Sequence, residues 1–131
     1  MSTTEGGGKI VTDGLILYYD GANPKCYISG STTSNDLSIT QSNGTLENGV
    51  TYDSDNNGSW VFDGLDDYID FSDNPSFDID GTNTVSFNSW IKKEGGIYFP
   101  VFAKLYYPQS NIQDGYRCYI PSSTNQVFVN L

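Results

Sequence analysis

Residues 58–71 read G-S-W-V-F-D-G-L-D-D-Y-I-D-F, and this stretch decides the fold. Trp60 and Phe62 are two apart, so an extended backbone sends both rings to one face. Ile69 and Phe71 do the same beyond Asp63-Gly64-Leu65-Asp66-Asp67. Gly64 can take the positive φ of a tight reversal, and the Asp side chains can close it onto backbone N–H groups. The pattern predicts a β-hairpin. A lone hairpin is marginal in water, so its aromatic face needs a second layer. The expectation is an all-β chain, an antiparallel β-sandwich.

Working outward, the flanking chain keeps the same character. Ile10–Asp20 reads as a strand that is apolar on both sides, with a possible interruption at Asp13-Gly14. Residues 25–36 read as an irregular loop. The Asn43-Gly44 and Asn48-Gly49 pairs bracket a very short strand, and Val50–Tyr52 is another extended piece. Pro75 breaks the chain after Phe71 and pushes Asn74 out of the helical region. Phe77–Gly81 reads as a short strand and turn. Thr84–Lys92 alternates Val85, Phe87, Ser89 and Ile91 against Ser86, Asn88, Trp90 and Lys92, a second clear strand pattern. Gly95-Gly96 permits a turn. Ile97–Leu105 is extended, with Pro100 confining it to an edge or a bulge. Residues 106–114 read as a loop, and 115–120 and 126–131 as strands around a turn at 121–125. No ten-residue stretch holds a helical period free of Gly and Pro. Regularly spaced short strands indicate a sandwich or jelly roll.

The chain of 131 residues suits one domain at 10–131, preceded by a flexible arm at 1–9. Aromatics make up 15% of it and charged residues only 17%, with a mean hydropathy of -0.40. Its formal net charge of -10 argues against a nucleic-acid partner and against an anionic membrane surface. No apolar run is long enough to span a bilayer, and the N-terminus has no signal-peptide pattern, so synthesis in a cytoplasm is expected. Cys26 and Cys118 do not make a disulfide framework and are expected as unpaired thiols.

Motifs in three segments, 14–27, 43–69 and 84–92, resemble the concanavalin A-like, laminin-G-type jelly-roll family. The similarity extends over about residues 10–120. It is nearest to the versions found in structural proteins of tailed bacteriophages. The resemblance implies two facing sheets and further strands beyond 127–131, among them a Trp–His hairpin and a closing strand. It therefore implies a sandwich incomplete at its C-terminus: a fragment, a truncated product, or a half-sandwich completed by a neighbour. Unpaired edges in an isolated half would favour contact with another chain.

The residues offer little catalytic chemistry. Glycoside hydrolysis needs two carboxylates on one face of a cleft. Glu5, Glu47 and Glu94 lie in no such pattern, and Asp78 and Asp80 share only the spacing, in a turn. The absence of His removes His-based triads. No enzyme is expected. Asp53-Ser54-Asp55-Asn56-Asn57-Gly58 begins like a calcium loop, but Gly64 holds the twelfth position where a bidentate Glu belongs. A solvated Asx-rich turn competes with a weak Ca²⁺ site at Asp53, Asp55 and Asn57, with Asp63 or Asp66 drawn in. Calcium at the sandwich rim of relatives makes Asp114 a further candidate. Glycan stacking would use Trp90, Tyr106 and Tyr107, with Tyr18 and Tyr19 also available; core or interface roles compete for each. Asn43-Gly-Thr45 and Asn57-Gly-Ser59 fit the glycosylation sequon but read more simply as turns.

Two functions stand side by side. One is a non-enzymatic virion decoration or fibre protein of a tailed phage, on the particle surface, held to other virion proteins in a homo-oligomer or symmetric assembly. The other is a lectin-like, carbohydrate-binding module that attaches to host surface glycans.

Overall fold

The computed structural model describes residues 10–79, 84–94, 98–109, 112–121 and 126–130. The expected N-terminal arm, Asp80 and the Gly95-Gly96 turn lie outside them, as does most of the turn at 121–125. The chain is all-β, and every strand pair in it is antiparallel. Its strands are β1 (Thr33–Ser34), β2 (Gly44–Glu47), β3 (Thr51–Asp53), β4 (Ser59–Val61), β5 (Tyr68–Asp70), β6 (Tyr98–Gln109), β7 (Ile112–Pro121) and β8 (Phe128–Asn130). They form three sheets, in the orders β1-β2-β5, β3-β4 and β6-β7-β8. The other regular elements are 3-10 turns at Asp55–Asn57 and Pro75–Phe77.

The central reversal exists, but its flanks do not pair with each other. Gly64 has φ 78°, and the Asp63 carboxylate accepts the Leu65 N–H at 2.8 Å. Yet β4 pairs with β3, Tyr52 opposite Trp60, while β5 pairs with β2, Leu46 opposite Ile69. The five-residue turn sends each flank to an earlier strand, and Phe62 lies beyond the ladder with its ring 41% exposed. Trp60 is half-buried, as its pattern predicts.

Its ring belongs to an aromatic cluster that joins the first two sheets. Tyr19 packs edge-on to Phe71 at 4.9 Å and tilts against Trp60 at 5.7 Å. Tyr27 lies 4.5 Å from Tyr52 and 6.4 Å from Trp60. Such pairs add directional energy to plain area burial. Beside the rings is a polar core. Asp36 is 5% exposed, and its carboxylate accepts from Tyr18 N–H, Ser38 N–H, Ser38 Oγ–H and Ser42 N–H. Four donors satisfy a charge that would otherwise be too expensive to bury.

Ile10–Asp20, expected as a strand, enters no ladder. A turn at its expected interruption, Leu15 N–H to Thr12 C=O at 3.2 Å, diverts it. Tyr18 then bonds sideways, its C=O accepting from Leu37 N–H at 2.9 Å. Phe77–Gly81, expected to begin as a strand, begins instead as the end of a 3-10 turn. Asn74, extended at φ -137°, caps that turn by accepting Ser76 N–H at 2.9 Å, and Pro75 occupies its first position.

The third sheet holds the longest strands. β6 is irregular between Pro100 and Phe102, where the missing N–H of proline breaks the ladder. Residues 106–114 are expected as a loop, yet 106–109 continue β6 and 112–114 belong to β7, Tyr106 opposite Asp114, toward the end of the hairpin. Two adjacent tyrosines favour a strand, and a second register shift before Gln109 absorbs Pro108. One face of this sheet carries Phe102, Tyr116, Cys118 and Ile120, and Phe87 stacks on Phe102 at 3.9 Å. Thr84–Lys92, expected as a strand, is in no ladder even so. Its pattern suits a strand, but no partner strand lies alongside it among the described residues. Cys26 and Cys118 are free thiols and both are buried, and burial pushes the Cys118 thiol up from its ordinary pKa.

Candidate functional site

Among the described residues, the turn that reverses the chain between β4 and β5 gathers three potential ligand groups. Asp63, Asp66 and Asp67 each bring a carboxylate oxygen within 4.8 Å of the other two. Local geometry explains the cluster. Asp63 N–H donates to Asp67 Oδ2 at 2.8 Å, while Asp63 Oδ1 receives the N–H groups of Leu65 and Asp66. Asn48 Nδ2 ties the turn to the β2–β3 connection by donating to Asp66 C=O at 2.8 Å. Asp67 Oδ1 is buried and makes no hydrogen bond. Oxygen clusters of this kind suit hard cations. On an exposed turn they also occur as plain solvated carboxylates.

The calcium-like motif is organised differently. Asp53 ends β3 and accepts Asp55 N–H at 2.8 Å, which starts the 3-10 turn at Asp55–Asn57. Asn57 then takes φ 72° and Gly58 φ 113°, and the chain enters β4. The motif thus builds a β-hairpin connection. Asp63 and Asp66 belong to the other cluster, together with Asp67, which the motif reading missed. The signal was present as three carboxylates within 63–67. Asp114 sits within β7, opposite Tyr106 in the ladder.

The glycan candidates separate as well. Tyr106 and Tyr107 are in β6, near the hairpin tip. Trp90 lies in the unladdered segment and is 98% exposed. Of the tyrosines named with it, Tyr19 is half-buried in the aromatic cluster. Its hydroxyl donates to Ser34 C=O at 2.8 Å, and burial raises its pKa strongly. Tyr18 Oη donates to Asp20 at 3.2 Å and lines a cavity of about 270 Å³ with Ile10, Leu15, Leu37 and Ile39. Thr12 and Ser38 complete that lining, which is mainly apolar and offers no acid–base pair.

Of the carboxylates considered for hydrolysis, Asp78, Glu94 and Glu47 are used in ion pairs or a ladder, and Glu5 and Asp80 lie outside the described residues. Asp78 pairs with Lys104, which also reaches Asp73 at 3.0 Å and Asn74 C=O at 3.3 Å. The contact with Asp78 is the main cause of a raised Lys104 pKa. Glu94 pairs with Lys92 in solvent, and Glu47 ends β2.

Comparison of the chain with protein-family models, with curated proteins and with solved structures finds no match. No described helix is long and apolar enough to cross a membrane.

Proposed function

We propose that this chain is a non-enzymatic structural protein that works by contact with other proteins in a larger assembly. One observation carries the reading. Within 87–91, Phe87 is 46% exposed, Trp90 98% and Ile91 43%, on a segment that belongs to no sheet. Large apolar side chains grouped in this way are characteristic of surfaces that another chain covers. The jelly-roll resemblance narrows the assembly to the surface of a tailed-phage particle, as decoration or fibre. A layered arrangement is consistent with Phe87 lying over one face of the β6-β7-β8 sheet. Mass spectrometry of purified particles tests this reading. Stoichiometric copies of the chain are expected; absence from particles overturns it.

The exposure of Trp90 also favours a second reading, attachment to glycans. A bare indole face can stack on a sugar ring, although no polar partners converge on it. Binding on a glycan array that disappears in Trp90→Ala or Tyr107→Ala would favour this alternative.

A further inference from the structure

We infer that Asn48 is a self-modification site: in the folded chain its side-chain amide converts to a carboxylate through attack by the backbone nitrogen of Gly49. The inference stands apart from the assembly role proposed above.

The sequence offers this reaction in three places, and the fold leaves one of them open. Asn43-Gly44, Asn48-Gly49 and Asn57-Gly58 each set a glycine nitrogen, with no side chain to crowd it, next to an asparagine amide. Attack needs a nitrogen free of hydrogen bonding and room for a five-membered ring. At Asn57 the nitrogen is engaged. Gly58 N–H donates to Asp55 C=O at 3.0 Å, and Tyr52 Oη and Gly21 C=O crowd the glycine. At Asn43 the amide is engaged. Its Oδ1 accepts Asp36 N–H at 3.0 Å, and Gly44 is buried in β2 opposite Ser34. Asn48 and Gly49 are both exposed, in the connection between β2 and β3. Gly49 N–H bonds to no described residue. Among the described residues, the Asn48 side chain makes one bond, from Nδ2 to Asp66 C=O at 2.8 Å.

The step balances with water as its one co-reactant. The Gly49 nitrogen forms a bond to Asn48 Cγ and gives its proton to solvent. The Cγ–Nδ2 bond breaks and ammonia leaves, which closes a cyclic imide. Water then opens the ring at one of its two carbonyls, leaving aspartate or isoaspartate. Either product removes the tether of the turn. Asp66 C=O loses its donor, and a new negative charge stands beside Asp63, Asp66 and Asp67. Isoaspartate also lengthens the main chain of a short connection by one methylene. Conversion thus detaches the β4–β5 turn from the β2–β3 connection, in one direction only, as the protein ages.

The test uses the wild-type chain, folded and in urea, held in mildly alkaline buffer and followed by peptide mass mapping. In the folded chain Asn48 should convert at least about tenfold faster than Asn43 and Asn57, which must first open locally. In urea the three rates should converge, since the fold no longer protects any of them. Comparable rates at the three sites in the folded chain overturn the assignment, as does conversion of Asn48 in urea alone. A lead of Asn48 that persists undiminished in urea overturns it too, because the cause would then lie in the neighbouring sequence. Asn48→Gln keeps an amide donor on a longer side chain that cyclises far more slowly. The acidic form that ion exchange resolves in aged wild type should be lost in this variant; its growth at the wild-type rate would place the reaction elsewhere.

Discussion

The backbone N–H of Tyr18 donates to the carboxylate of Asp36 at 2.9 Å, across 18 residues of sequence. This bond replaces a strand ladder. It fixes an irregular segment to the polar core, and the same carboxylate holds Ser38 and Ser42.

Removing that carboxylate should be severe. Asp36→Ala leaves buried donors of Tyr18, Ser38 and Ser42 without acceptors, at about 1–3 kcal/mol for each group that water cannot reach. Urea denaturation should show a loss of at least about 3 kcal/mol, or no cooperative transition. Asp36→Asn should fall between the two, since it keeps an acceptor oxygen. A loss under about 1 kcal/mol for Asp36→Ala would show that the polar core is hydrated.

Tyr19 sets an alkaline limit on stability. Its pKa is raised above the ordinary 10.0, chiefly by burial. Above pH 10.0 the unfolded chain loses this proton while the folded chain keeps it. The unfolded state then binds fewer protons, so stability is full below that pH and falls as pH rises toward the folded pKa. Tyr18 and Tyr116, also raised, act in the same direction. Tyr19→Phe loses the bonds to Ser34 and Ser42, roughly 1–2 kcal/mol at neutral pH, but should flatten the alkaline slope measured by denaturant titration.

Gly58 should not tolerate a side chain. It sits at φ 113°, and a Cβ there would lie 2.0 Å from Tyr52 Oη and 2.4 Å from Gly21 C=O. The clash would break the 2.7 Å bond from Tyr52 Oη–H to that carbonyl and displace the ring from Tyr27. Gly58→Ala should cost more than about 2 kcal/mol, well above the usual price of a strained glycine site. A near-normal melting temperature would count against the described β3–β4 connection.

The two thiols should be inert in the folded protein. Cys26 is 0% exposed and Cys118 6%, and the thiolate of Cys118 is disfavoured by burial. A thiol reagent at neutral pH should label neither until denaturant is added. Rapid labelling of either in native buffer would contradict the packing.

Crowded carboxylates at the central turn should repel one another. Asp66→Asn removes one charge from the Asp63–Asp66–Asp67 cluster and leaves the backbone bonds of the turn in place. Stability should rise by a few tenths of a kcal/mol at low salt, about the scale of an exposed ion pair, and the effect should fade as salt screens it. A decrease instead, reversed by added Ca²⁺ in the wild type alone, would mark the turn as a cation site.

Local chemistry was legible in the sequence, and pairing was not. The Asn-Gly pairs, the Asp63–Asp67 reversal, extended Asn74 and the Pro100 irregularity each depend on neighbours in the chain, and the residues announced them. The partners of β4 and β5 depend on which earlier strand is nearest in space, so the apparent hairpin of 58–71 was misleading. Thr84–Lys92 has strand propensity but no ladder partner among the described residues, a tertiary fact that alternation cannot express. For the candidate site, the motif drew attention to Asp53 and Asp55. The carboxylates that converge are those of a turn whose closure needed Asp67.

The turn at Pro75–Phe77 and its flanks bond both to the polar core and to the β6–β7 hairpin. Tyr116 Oη–H donates to Phe77 C=O and Lys104 reaches Asn74 C=O, while Asn74 Nδ2 donates to Ser42 Oγ. Opening on either side of the turn strains these bonds. Amide exchange rates on its two sides are thereby coupled through a handful of bonds, and loosening them would let the β6–β7 hairpin breathe on its own clock.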